Sequence, residues 1–288
     1  MTTVVDRITG RFVSIELLPP RTPESGDALE SALVELRALD PAFVAVTYGA
    51  GGSDRGRTEA LVERLADGTA LPLPHLTCLA HSRAELEVLL DRYVAAGVRS
   101  VLALRGDPPL SATEALPEGD LRRAVELVEL ARARGVECVG VAVHPEGHPA
   151  AQSRESDLRH QAAKLGEADF ALTQFVNRSS DYFRFVDEMA RRGATAPVIP
   201  GIRPIANVRQ AVRMAEMSGA PIPAELLQRL ESAPGPAAAR RIGVEHAVQV
   251  CRELLDGGAP GLHFYTMNRA ASTLQVCAEL GWEVSPVA

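Results

Sequence analysis

VLALRGDPP, Val101–Pro109, is the stretch from which the rest of the chain can be read. Val101 to Leu104 is a short apolar run suited to a buried strand. It stops at Arg105-Gly106-Asp107, ahead of two prolines that cannot continue a strand ladder. An arginine and an aspartate flanking a glycine make a charged, tightly turned strand end. Such an end is either a ligand site or a salt-bridged rim, and the surrounding sequence has to decide which.

In both directions from this point, short apolar runs alternate with longer amphipathic stretches. The apolar runs predict strands over Phe12–Leu18, Phe43–Thr47, Pro74–Cys78, Ser100–Leu104, Val136–Val143, Phe170–Phe175, Pro197–Ile202 and Gly261–Thr266. Helical spacing marks Asp27–Leu39, Arg57–Ala66, Ala84–Ala95, Asp120–Ala133, Glu155–Leu165 and Asp181–Arg191. It recurs over Val208–Met217, Ala224–Leu230, Val244–Leu255 and Ala270–Leu280. Eight strand–helix units predict an α/β fold. A single (β/α)8 barrel over residues 1–288, with extra helices near its C-terminal end, fits better than two dinucleotide-binding halves. No GxGxxG turn is present, and GAGGS at Gly49–Ser53 is not a phosphate-binding Walker loop. SAPGPAAA, Ser232–Ala239, reads as a surface loop ahead of the last helix and strand.

Composition narrows the function classes. The 288 residues are 46% hydrophobic with a formal net charge of -7 and no Lys/Arg-rich block, which argues against nucleic acid as a partner. The N-terminal MTTVVDRITGRF lacks the basic end and apolar run of a signal peptide, and no stretch is apolar enough to span a bilayer. A cytoplasmic protein without a membrane association is the expectation; monomer and homo-oligomer stay open. Cys78, Cys138, Cys251 and Cys277 show no CxxC spacing and read as buried free thiols. Lys164 is the only lysine.

A barrel reading places functional residues at the C-terminal strand ends. Those ends carry Glu16, Thr47 and Tyr48, His75 and Thr77, Arg105 and Asp107, His144 to His148, Gln174, and Tyr265 with Asn268 and Arg269. Glu16 is the sharpest of them. It stands in the apolar strand SIELL, where desolvation would raise its pKa toward that of a general acid; pairing with a barrel arginine is the structural alternative. His144 and His148 have i, i+4 spacing, but Pro145 and Gly147 oppose a helix there, so no metal is expected. Asp157, His160 and Lys164 share a helix face, for which a solvated charged surface is the ordinary explanation.

Together, SIELLPPRT, VTYGAGGSDRGRT, HLTC, LALRGDPP, HPEGHP, ALTQF, VIPGIRPI and HFYTMNRA resemble, in order and spacing, the methylenetetrahydrofolate reductases, from about Phe12 to Leu280. The resemblance implies a TIM barrel that reduces 5,10-methylenetetrahydrofolate to 5-methyltetrahydrofolate with NAD(P)H, NADH favoured, an FAD shuttling the hydride. By resemblance Glu16 is the catalytic acid that protonates nitrogen during ring opening. Asp107, also catalytic, would lie between flavin and folate. Gln174, Gln210 and Arg269 match positions that contact folate or nicotinamide. Thr47, Tyr48, Ala50, His75, Arg105, Gly106, His148, Asp157 and Lys164 match flavin-site positions, as do the substituted positions His144 and His160.

The departures gather on the flavin side. IELLPP lacks aromatic rings that the family places beside the glutamate, and His144 replaces a tyrosine. Ala163 replaces an arginine, His160 an asparagine and Met214 a phenylalanine, while Glu118 aligns with a small residue near the nucleotide. Losing a cation and gaining a carboxylate near a pyrophosphate would each cost about 1–3 kcal/mol if desolvated, or roughly two to four decades of FAD affinity together. Weak or absent FAD, with hydride passing directly from NAD(P)H to the folate, is therefore the second expectation. Two further readings are a related barrel flavoenzyme that oxidises an amine such as proline and a non-catalytic folate-binding scaffold.

Overall fold

The computed structural model describes residues 2–48, 55–68, 70–106 and 119–282. Ala50, Asp107 and Glu118 lie outside the described residues. Eight parallel strands close into a barrel in sequence order. They are β1 (Phe12–Leu17), β2 (Val44–Val46), β3 (Pro72–Thr77), β4 (Ser100–Leu104), β5 (Cys138–Val143), β6 (Phe170–Phe175), β7 (Val198–Ile202) and β8 (Gly261–Tyr265). Closure is made by β8 against β1, with Glu16 opposite Tyr265 on one side and Ala45 on the other.

The helices are α1 (Val4–Arg7), α2 (Pro23–Leu36), α3 (Arg55–Ala66), α4 (Arg83–Ala95), α5 (Ala124–Ala133) and α6 (Arg154–Gly166). There follow α7 (Ser179–Arg191), α8 (Val208–Ser218), α9 (Ala224–Glu231), α10 (Pro236–Asp256) and α11 (Ala270–Glu279). Each strand side chain points either into the barrel or out toward the helices, and the burial follows that period of two. Phe12, Phe43, Leu73, Leu102, Phe170, Leu172 and Ile199 form one buried cluster inside. Val13, Ile15, Val44, Val46, Val101, Val139 and Val141 pack outward with the helices in another. Gly140 makes room for the interior filling: a Cβ there would stand 2.4 Å from the Phe170 ring.

Most element ends fall within a few residues of the sequence expectation, and two larger differences stand out. The single-turn α1, too short to show a period, closes the bottom of the barrel with fully buried Val4, whose N–H donates to Ser100 Oγ at 3.0 Å. SAPGPAAA is not all loop: Pro236 occupies the first turn of the 21-residue α10, where its missing N–H costs nothing and its fixed φ suits a helix. All four cysteines are free and buried. Among the described residues no helix is long and apolar enough to cross a membrane.

Candidate active site

The mouth of the barrel at the C-terminal strand ends is built around Glu16. Its carboxyl, at the end of β1, is buried beside two histidines: Oε2 lies 3.5 Å from Nε2 of His75 on β3 and 4.0 Å from Nε2 of His263 on β8. Among the described residues neither ring nitrogen has a closer hydrogen-bond partner. Burial raises Glu16 from 4.5 to about 7, with His75 pulling the other way. Burial likewise lowers His75, and it drives fully buried His263 down to about 3. The cluster is thus an acid held near neutrality between two uncharged imidazoles, not an ion pair. Ser14 Oγ bonds His263 Nδ1 at 3.0 Å, and Phe43 stacks on that ring at 5.7 Å, so its orientation is fixed.

Glu16 is held in place from β8. Thr266 Oγ1 donates to the Glu16 carbonyl at 2.7 Å. Asn268, at φ 54°, clasps Leu18 by both backbone groups: it accepts from the Leu18 N–H at 2.9 Å and donates to its carbonyl at 2.8 Å. Tyr265 donates its hydroxyl to the Thr173 carbonyl at 2.7 Å and meets Phe175 edge-on at 4.8 Å.

Across the mouth, half-buried Gln174 stands one residue before the end of β6. It borders a small, partly open hollow with His144, Glu146, Phe175 and the segment Ser218–Ala220. Glu146 is also raised to about 7, by burial and by Asp181. The HPEGH loop that carries it is organised from α6. Buried Asp157 accepts from the His148 N–H at 3.1 Å and from Gln161 Nε2 at 2.9 Å. Gln161 in turn bonds both the N–H and the carbonyl of His144. The His144 and His148 rings meet edge-on at 4.7 Å. Among the described residues no group of three ligating side chains is placed to hold a metal ion.

The structure therefore brings Glu16, His75, Gln174, His144 and His148 to one end of the barrel. Thr47 and Arg105 with Gly106 stand at the same end, on β2 and β4. Gly106, at φ 86°, passes so close to Leu79 and Thr77 that a Cβ would lie 2.9 and 3.0 Å from theirs. Gln210 and Arg269 are exposed at the starts of α8 and α11. Tyr48 is placed elsewhere. It lies one residue out of phase with Thr47, packs in the strand–helix layer and bonds His81 Nε2 at 2.9 Å. His160 is exposed on α6. His263, Asn268 as a clasp, and Glu146 have no assigned role in the sequence reading. For His263 the alternation of HFY in a barrel strand is a usable signal, since it puts the histidine inside.

The match to known proteins bears on this geometry. The family model for methylenetetrahydrofolate reductase matches residues 4–281. The chain belongs to the methylenetetrahydrofolate reductase family. It is 36% identical over 272 residues to the 5,10-methylenetetrahydrofolate reductase of Escherichia coli, covering 93% of this chain and 90% of that one. It is 31% identical over 283 residues to a protein of Arabidopsis thaliana named methylenetetrahydrofolate reductase (NADH) 1, covering 93% of this chain and 48% of the relative. Among solved structures, a Clostridium thermocellum protein described as binding two copies of 5-methyl-5,6,7,8-tetrahydrofolic acid superposes with a TM-score of 0.65 at 12% identity, covering 96% of this chain and 95% of that one. That likeness is one of fold. This chain is an oxidoreductase of the methylenetetrahydrofolate reductase family on a (β/α)8 barrel.

The flavin that the family implies finds a poor phosphate cradle here. Lys164 donates its ammonium to the Ala142 carbonyl, and burial lowers its pKa to about 8 against the pull of Asp157. Ala163, one residue earlier, is exposed and supplies no charge. Among the described residues, the cations on this side are Lys164, a desolvated amine already bonded to backbone, Arg154, committed to the Pro145 carbonyl and Asp157, and Arg105, whose charge also lowers Lys164.

Proposed function

We propose that this chain reduces 5,10-methylenetetrahydrofolate to 5-methyltetrahydrofolate with hydride from a nicotinamide dinucleotide, NADH before NADPH. The observation that carries the reading is Glu16, a buried acid still protonated near neutral pH at the centre of the mouth. The one-carbon unit of the substrate bridges two nitrogens. Protonating one of them from Glu16 makes it a leaving group; the C–N bond breaks and leaves a methylene iminium on the other nitrogen. Hydride added to the methylene carbon then gives the methyl group. An acid with a pKa near the working pH is suited both to giving the proton and to taking the next one from solvent. His75 and His263, uncharged, leave the proton on Glu16, where a cationic neighbour would strip it off. Gln174 and, by resemblance, Asp107, Gln210 and Arg269 hold the folate.

Direct transfer from nicotinamide to folate is the route the residues favour, because Lys164 and Ala163 offer a dinucleotide flavin little to hold. The second reading, hydride relayed by FAD, is supported by family membership and by His75, Arg105 and Gly106 at their matching positions. Folate-dependent NADH oxidation by the purified protein tests the reaction, and no oxidation would refute it. The visible spectrum of the same sample separates the routes: a stoichiometric flavin band rules out the direct one. The NADH preference leans on the plant relative's name and is checked by comparing kcat/KM for the two dinucleotides.

A further inference from the structure

Among the described residues, one cation at the end of β7 has no counter-charge. Arg203 directly follows Ile202, the strand partner of Phe264, and its guanidinium sits 5.3 Å from the centre of the Phe175 ring. Among the described residues it has no ion pair and no hydrogen bond. Burial lowers its pKa, with no carboxylate opposing the shift. Withdrawing a guanidinium from water without a partner is costly. The Phe175 contact does not require it, because an aliphatic side chain would cover that ring as well.

What the arginine faces is a small, partly open hollow, lined otherwise by Phe175, Asn177, Ile205, Ala211, Ala215 and Ile222. Its walls are fixed before any ligand arrives. Asn177 Nδ2 donates to the carbonyls of Ala220 at 3.3 Å and Pro221 at 3.1 Å, and His246 Nε2 bonds the Asn177 carbonyl at 2.9 Å. The loop after β6 is thereby tied to the loop after α8. The hollow adjoins the one beside Gln174, with Phe175 and Ala220 bordering both.

We propose that Arg203 and the hollow between Phe175 and α8 form a carboxylate subsite for the p-aminobenzoylglutamate arm of the folate, a proposal that rests on the folate reading above. One cation among apolar walls matches one carboxylate on a largely apolar arm. A phosphate or pyrophosphate would bring about two charges to a single cation, and the N–H of Gln210 in the first turn of α8 is already bonded to Asn207 Oδ1 at 2.9 Å. The aryl ring packs on Phe175 and the alanine face of α8, one glutamyl carboxylate takes the guanidinium, and the other stays in water.

The test uses Arg203→Leu and Arg203→Lys in the full chain. In Arg203→Leu, KM for methylenetetrahydrofolate rises about tenfold or more, the size of one lost charge-assisted hydrogen bond. Meanwhile kcat stays within about threefold and KM for NADH is unmoved; Arg203→Lys recovers part of the loss. Binding without turnover is measured by calorimetry with p-aminobenzoylglutamate and p-aminobenzoate as probes. Wild type binds the glutamyl compound more tightly and Arg203→Leu removes the difference. Equal binding of the two probes to wild type overturns the proposal, and so does a rise confined to KM for NADH, which would make the arginine a dinucleotide contact. A protein that discriminates between the probes yet shows no folate-dependent NADH oxidation keeps the subsite and sinks the reductase reading instead.

Discussion

Glu16→Gln should make the protein more stable above neutral pH while removing its activity. The unfolded chain titrates this carboxyl near 4.5, and burial holds the folded one near 7. Below 4.5 both states carry the proton, so the group contributes no pH-dependent penalty there. Between 4.5 and 7 the unfolded state gives up its proton while the folded state keeps it, and stability falls as pH rises. Above 7 the folded state holds a buried carboxylate at its full cost. A gap of about 2.5 units at about 1.4 kcal/mol each amounts to roughly 3 kcal/mol. Glutamine keeps the shape and lacks the ionisation, so the variant escapes this cost. In a chain of this size the difference corresponds to a Tm higher by roughly 5–10 °C. The assay is a pair of thermal melts at about pH 5 and about pH 8, with folate-dependent NADH oxidation alongside. The Tm gap should be small at the acid end and grow to a plateau above neutrality, while the rate falls by about 10² or more. A Tm gap that does not change with pH, or a variant less stable at alkaline pH, would refute the claim that Glu16 is desolvated and protonated near neutrality.

In wild type, kcat/KM should fall as pH rises through about 7, because the protonated form of Glu16 is the one that acts; a rate rising over that range would point to a base instead. His263 shapes the acid side with the opposite sign. Its folded pKa near 3 lies below the ordinary 6.5, so it costs stability as pH falls below 6.5, at about 1.4 kcal/mol per unit. Replacing it with leucine should flatten the acid limb of a Tm-versus-pH curve. Asn268→Ala loses both bonds to Leu18 and puts a Cβ residue without side-chain support at positive φ, for about 2–3 kcal/mol in a denaturant melt and a lower kcat. Gly106→Ala, with its Cβ 2.9 Å from that of Leu79, should destabilise by about 1–3 kcal/mol and disturb Arg105, read as lower Tm and lower rate together.

The barrel was legible because strand-length apolar runs and helix-length amphipathic runs alternate eight times, and strand ends are where polar residues gather. Glu16 stood out for the same reason: a carboxyl in SIELL has nowhere to go but the barrel interior. What escaped was whatever depends on which way a residue faces or on contacts across the fold. Tyr48 lies in a motif beside Thr47, yet a strand alternates, so the hydroxyl ends on His81 in the outer layer. His263 is silent in sequence because a lone histidine among apolar residues usually reads as core; only closure of β8 onto β1 brings it to Glu16. Asp157 reads as part of a charged surface by helical spacing, and its burial appears only once the HPEGH loop folds back over α6. Pro236 reads as a breaker when its neighbours are counted, though at a helix start proline is a former.

Lys164 has a use beyond its place under the HPEGH loop. A protein with one lysine gives one Nζ resonance when grown on nitrogen-labelled lysine, with no assignment needed. That nucleus sits on a buried amine with a pKa of about 8, bonded to the Ala142 carbonyl. Its titration near neutral pH would register any anion brought to the mouth of the barrel, flavin phosphate or dinucleotide alike, as an upward move of the midpoint. The solitary lysine is a built-in electrometer for whatever anion the site takes.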